Sequence, residues 1–393
     1  MVLLITYIAI FIWIKHETRE NDFSELRMLY LCMAMGVVLA IIYRAVLIGY
    51  GIEYGLSNLD MRNYMRMAKK VSDIPLSNGL LSIASDWSMA KTNAIQLSGY
   101  SLYVYYLAFA IYKWNILSVE TSVYLVSIAQ ILMANLSMLI IYNTLKERCF
   151  SHPKLSLLLL LIAPPIWFGC VRLLREAIML LCIALILRIY LRKEEKWIVK
   201  LIVPTILLTI MRPYYTALMV PLCLLIEDED RIVNKINPAL FIGLFGYCVY
   251  RRISPTSVIG VALSPNFFNQ VHYLNYSIEE SLARTGYIAA VNYIGSVWNL
   301  VMLFFAIVAL LSRNRARTSI GLVFLILDIC MLYALAYGGT TELRHKMFFV
   351  VPYLILLNNG LDIFEGKKSM PMMLLFLFLF IAFYTLGVLL IGR

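Results

Sequence analysis

Read for its hydrophobic and polar positions, the chain is a succession of apolar runs separated by short charged turns. The stretch Val171–Pro213 shows the rule most clearly. Two apolar segments, Ala177–Leu191 and Trp197–Met211, flank the charged run Arg192–Lys196. Each falls a little short of the ~20 residues a membrane helix needs, a gap that snorkelling ends close. Neither alternates with period two, so both are predicted as helices rather than barrel strands. Arg188, Arg192, Lys193, Lys196 and Lys200 gather around the middle turn, which predicts that it is cytoplasmic.

The same reading extends along the chain. Met1–Ile14 lacks both a leading basic region and a small-residue cleavage site, so it is read as a short first helix with its N-terminus outside, not as a signal peptide. The turn Lys15–Arg27 is placed inside, and Leu29–Ile48 crosses outward with Arg44 near its outer end. Residues 51–97 form a first outer loop, in which LDMRNYMRMAKKV carries Met61, Tyr64, Met65, Ala68 and Val71 at helical spacing. Arg62, Arg66, Lys69 and Lys70 take the other faces, the pattern of an amphipathic helix lying in the interface. The aromatic-rich GYSLYVYYLAFAIYKWN after it suits a juxtamembrane segment better than a span. Thr121–Tyr142 then crosses inward, and Leu155–Phe168 crosses outward with Pro164-Pro165 kinking or ending it near its outer mouth. After the central hairpin come Tyr214–Ile226, Pro238–Tyr250, a second long outer loop over 251–285, Ile288–Leu311, Ile320–Tyr337, Met347–Leu361 and Met372–Ile391. The expected architecture is an all-α polytopic membrane protein of about twelve spans, a single transmembrane domain with both termini and both long loops outside.

Composition narrows the function. The chain is 62% hydrophobic and 15% charged, which excludes an ordinary soluble domain. Its net charge of +11 is scattered over inter-helix loops and forms no single basic patch, which argues against a nucleic-acid partner. The seven cysteines lie mostly within or at the ends of apolar runs without CxxC spacing, and the four histidines form no ligand motif. Nothing in the pattern requires a metal or another cofactor.

The candidate chemistry sits in the outer turns. Arg172, Arg175 and Glu176 fall in one, Arg212 in a second, and Glu342, Arg344, His345 and Lys346 in a third. Taken singly, such residues anchor helix ends to lipid phosphates. Gathered on one side against the positive-inside bias, they form a candidate anion site, because a partly buried guanidinium offers a fixed fork to phosphate oxygens. Charge developing on a phosphate or pyrophosphate leaving group needs such stabilisation. Glycosyl transfer also uses a base or an acceptor-orienting carboxylate. The candidates on the outer side are Glu53, Asp60, Asp73, Asp86, Glu176, Glu279, Glu280 and Glu342. Asp60 also reads as a first-turn acid favoured by the helix dipole, and Glu176 as a surface partner of Arg172 four residues back. Asp328 is the one deeply placed acid.

The strings LDMRNYMRMA, GYSLYVYYLAFAIYKWN, LLREAIMLLCIALIL, MRPYYTALMVPL and ELRHKMFFVVPYLILL resemble polyprenol-dependent membrane glycosyltransferases of the type-C fold. They are most similar to bacterial O-antigen and capsule repeat-unit polymerases of the Wzy/EpsG-like group, over about residues 59–357. The resemblance implies that Asp60 matches the first-loop acid, and that Arg172, Arg175, Arg212 and Arg344 contact the lipid-linked phosphate, with His345 beside Arg344. Asp60 stands without the adjacent acid of the dolichol-mannose class, which favours a polymerase. Also implied are an undecaprenyl-pyrophosphate-linked glycan as substrate, membrane lipids as surroundings, and a chain-length regulator or flippase of the same pathway as partner. The location implied is the bacterial cytoplasmic membrane, crossed many times.

The leading expectation is therefore transfer of a lipid-linked glycan onto a second lipid-linked repeat unit at the outer face, with Asp60 and Glu176 as catalytic carboxylates. A type-C transferase using a polyprenyl-phosphate monosaccharide is the alternative enzyme. A lipid-linked oligosaccharide flippase is the alternative of another class; it should line its spans with charge and show two similar halves.

Overall fold

The computed structural model describes residues 1–55, 59–85, 94–113, 116–212, 286–312, 349–364 and 369–391, with single positions between 215 and 226 and between 314 and 347. The regular structure among those residues is helical, and among them there is no strand. The second outer loop, Asp328, Glu342, Arg344, His345 and Lys346 lie outside the described residues.

The helices are α1 (Val2–Glu17), α2 (Phe23–Gly49), α3 (Leu59–Ser72), α4 (Leu76–Ala84), α5 (Ala94–Leu107, extended by a π-helical turn Ala108–Lys113) and α6 (Val119–Leu145). There follow α7 (Pro153–Ile162), α8 (Pro164–Cys170), α9 (Glu176–Arg192), α10 (Trp197–Met211), α11 (Gly286–Ala309), α12 (Val350–Asp362) and α13 (Ser369–Ile391). The central hairpin is the one expected, and Lys193 and Lys196 turn the chain between α9 and α10 through left-handed backbone. Among the described residues two helices, α2 and α6, are long and apolar enough to cross a membrane; α10 and parts of α7–α8, α11 and α13 are apolar but shorter.

The chain divides into two compact units, one built from Met1–Thr144, Ile166–Met219 and Ser277–Glu279, the other from Leu145–Pro165, Val220–Tyr276 and Glu280–Arg393. In the first, α2 and α6 meet where Gly36 admits the side chain of Ile131 within 2.9 Å of where a Cβ would stand, the small-residue contact that lets two helices close. One end of this unit is tied by ion pairs. Arg188 bonds the buried Glu17, and Arg192 forks onto Glu20 at 2.7 and 2.5 Å. An N-terminal capping box of Asp22 and Glu25 starts α2 beside them.

One expectation changes here. The apolar face of α3 is as predicted, with Met61, Tyr64, Met65, Ala68 and Val71 buried, but it packs on α5 and the π-helical turn instead of lying on lipid. The aromatic segment supplies that partner. Tyr100 and Tyr103 of α5 are buried against Tyr64. The reason is physical: a phenol is cheap to bury once its hydroxyl is bonded, and Gln130 Nε2 donates to the Tyr103 hydroxyl at 2.5 Å.

In the second unit α12 packs along α11 and touches α7. Asn358 takes the His152 backbone N–H at 2.7 Å and donates to Ser156 Oγ at 2.7 Å, while the His152 ring meets Asp362 at 3.1 Å.

Candidate functional site

The site grows out of a break in the chain. Pro164 and Pro165 fit the first turn of a helix, where no N–H is needed, and Ala163 ahead of them is extended. The proline pair thus ends α7 and starts α8 as a separate short helix. That helix makes its last bond from Val171 N to Trp167 O, and Val171–Leu174 is irregular. Helical pairing is lost there, and a buried carbonyl must find another donor. Val171 O accepts from Arg44 Nη2 at 2.9 Å, and Leu174 O accepts from Gln130 Nε2 at 3.0 Å. Arg175 then caps α9, its carbonyl accepting from Ile178 N and Met179 N.

Arg175 reaches across to the end of α10. Its Nη1 donates to Met211 O at 3.2 Å, and its guanidinium lies 6.0 Å from the centre of the Tyr64 ring, within cation–π range. The next residue, Arg212, leaves the helix in extended backbone and brings Nη2 within 3.8 Å of Glu176 Oε1. Glu176 is 3% exposed. Tyr64 is stacked on Tyr100 at 4.7 Å and meets Tyr103 edge-on at 5.0 Å. Burial pushes its phenol up to about 12, with Arg175 and Arg212 drawing it down and Glu176 and Asp60 raising it further. All four charges therefore act on one ring.

The structure thus brings together four of the residues expected from the sequence, Arg175, Glu176, Arg212 and Asp60, around Tyr64, and places Arg172 beside them in the chain. Arg175, Glu176 and Arg212 converge over Tyr64. Arg172 lies half-buried in the irregular segment between Val171 and Leu173. Asp60 occupies the first turn of α3 on its exposed side, one helical turn before Tyr64. Arg344 and His345 fall outside the described residues. Glu176 pairs with Arg212, and the helical spacing to Arg172 does not apply because α9 starts only at Glu176.

Sequence reasoning missed Arg44, Gln130 and the Tyr64 ring. The signal was present for the first two: a lone arginine in one apolar run and a lone glutamine in another must each be satisfied from inside the protein. Chemically, the guanidiniums of Arg175 and Arg212 beside the N-terminus of a 17-residue helix make surroundings that favour negative charge, part of which the Glu176 carboxylate supplies. Comparison of the chain with protein-family models, curated proteins and solved structures finds no match.

Proposed function

We propose that the protein is a multi-pass glycosyltransferase of the bacterial cytoplasmic membrane. It would polymerise lipid-linked oligosaccharide repeat units at the outer face, using an undecaprenyl-pyrophosphate-linked donor. The observation that carries this reading is the convergence of Arg175 and Arg212 over Tyr64 beside Arg172 and the start of α9. Membrane embedding is supported by the outward faces of α1 (Ile5, Ile8, Phe11, Ile12), α10 (Val199, Ile202, Val203, Ile206) and α13 (Phe376, Phe378, Leu379), all exposed and apolar, a surface suited to hydrocarbon rather than water. The arginine cluster lies at the opposite ends of α2 and α9 from the Glu17, Glu20, Arg188 and Arg192 pairs, which supports opposite sides of the membrane. About twelve spans in all belong to this proposal.

In the reaction a hydroxyl of the acceptor glycan attacks the anomeric carbon of the donor. The bond from that carbon to pyrophosphate breaks, and the leaving oxygen keeps the electron pair. Arg172, Arg175 and Arg212 stabilise that charge, for which fixed cationic donors are the strongest single aid. The proton released by the acceptor goes to a carboxylate, and the exposed Asp60 supports that role better than Glu176, whose buried carboxylate holds Arg212. A monosaccharide transferase with Asp60 as base rests on the same observation. The flippase reading is weakened because the charges of the first unit gather at helix ends.

The test is complementation of a polysaccharide-deficient host supplied with the matching repeat-unit pathway, with surface glycan resolved on a gel. Wild type is expected to give a ladder, and Arg172→Ala and Arg175→Ala, at equal protein level, only the single-repeat band, a loss of about a hundredfold or more in elongation. If deleting the protein removes even the single-repeat band, polymerisation is refuted, and addition of one sugar or flipping takes its place.

A further inference from the structure

Arg44 lies five residues before the end of α2 with no exposed surface at all. Every bond it makes goes to a neutral acceptor: Nε to Ser127 Oγ at 2.6 Å, Nη1 to Tyr54 O at 3.1 Å and Gly55 O at 3.3 Å, and Nη2 to Val171 O at 2.9 Å. Among the described residues no ion pair includes it, and the ionisable groups acting on it are the phenols of Tyr43, Tyr103 and Tyr124, uncharged at neutral pH. Four dipoles take up four of the five N–H donors of the guanidinium, but they do not cancel a unit charge. Burying such a charge is costly without a counter-ion. The carbonyl it holds belongs to the residue directly before Arg172.

From this geometry we infer that Arg44 is the buried half of the anion site, and that its counter-ion is the pyrophosphate bound at Arg172, Arg175 and Arg212. This deepens the function proposed above and rests on it. Arg44 is a positioning residue. It fixes the irregular turn that carries Arg172 and leads into Arg175, and adds a buried positive charge next to that turn. Its added charge favours a pyrophosphate headgroup over a monophosphate.

Ser127 offers the decisive test, because a carboxylate there would give Arg44 an internal counter-ion without touching the surface arginines. The full-length protein in phosphatidylcholine nanodiscs is titrated with undecaprenyl pyrophosphate and, separately, undecaprenyl monophosphate. Ser127→Asp is expected to raise the melting temperature of the ligand-free protein and to weaken pyrophosphate binding about tenfold or more, with Ser127→Asn unchanged. Arg44→Lys, which keeps the charge but not the fork, is expected to bind at least about threefold more tightly than Arg44→Gln, which keeps neither and loses about tenfold. Should Ser127→Asp not fold, the contrast between the lysine and glutamine variants decides alone. Pyrophosphate binding in Ser127→Asp within about twofold of wild type, or equal losses in the lysine and glutamine variants, would overturn the inference. If Arg172→Ala abolishes binding while Ser127→Asp does not weaken it, only this inference falls. If wild type binds neither lipid, the polymerase reading falls with it.

Discussion

Gly99→Ala is expected to abolish ladder formation and to lower the melting temperature of the purified protein, whereas Leu102→Ala, on the exposed side of the same helix, leaves both near wild type. The reason is a backbone contact. A Cβ at position 99 would stand 2.3 Å from Ile210 O, 2.7 Å from its carbonyl carbon and 3.0 Å from Met211 Cα. No side chain can swing aside, so α5 and α10 must separate. Overpacking of this kind costs about 1–3 kcal/mol, and here it falls on the functional residues. Met211 O is the acceptor of Arg175, and Arg212 follows directly in the chain. Moving the end of α10 therefore displaces two of the three arginines together. Since the clash is with main chain, trimming Ile210 to alanine should not rescue the variant. A ladder of normal length from Gly99→Ala would show that this contact does not hold the site.

The second large effect concerns the pair Glu176–Arg212. Arg212→Met removes a cation 3.8 Å from a carboxylate that is 4% exposed, and breaking such a pair from one side costs about 3–5 kcal/mol. Glu176→Gln leaves a neutral amide in the same space and costs less. Combining Glu176→Gln with Arg212→Met should recover most of the stability lost in Arg212→Met alone, because the buried charge is then gone from both sides. Activity should separate from stability: the double variant folds but does not elongate chains, since a phosphate ligand is missing. Additive losses in thermal unfolding would mean that the two side chains do not interact.

The features that were plain in the sequence are those that depend on neighbours along the chain. The hairpin of α9 and α10 follows from two apolar runs and a charged turn, and its second helix begins and ends at the expected residues, Trp197 and Met211. The break at Pro164 follows from the prolines themselves, and the buried face of α3 from helical spacing. What packs on that face could not be read, because amphipathicity marks a face and does not say whether lipid or protein covers it. Arg44 was legible as an arginine near the end of an apolar run, the position in which a snorkelling side chain also stands. Only its bonds to Ser127 and Val171, 83 and 127 residues away in sequence, set it apart. Gly99 gave no sign, since a glycine needed for the approach of a distant backbone looks like any other.

The two side chains that hold the turn before α9 come from α2 and α6, both of which precede it in the chain. Proteins are made from the N-terminus at about 5–20 residues per second, so Arg44 and Gln130 are synthesised several seconds before the carbonyls they will bind. The turn is thus shaped by a mould already made when residues 171–174 emerge. A chain lacking α2 would leave the Val171 carbonyl without the side-chain donor that holds it.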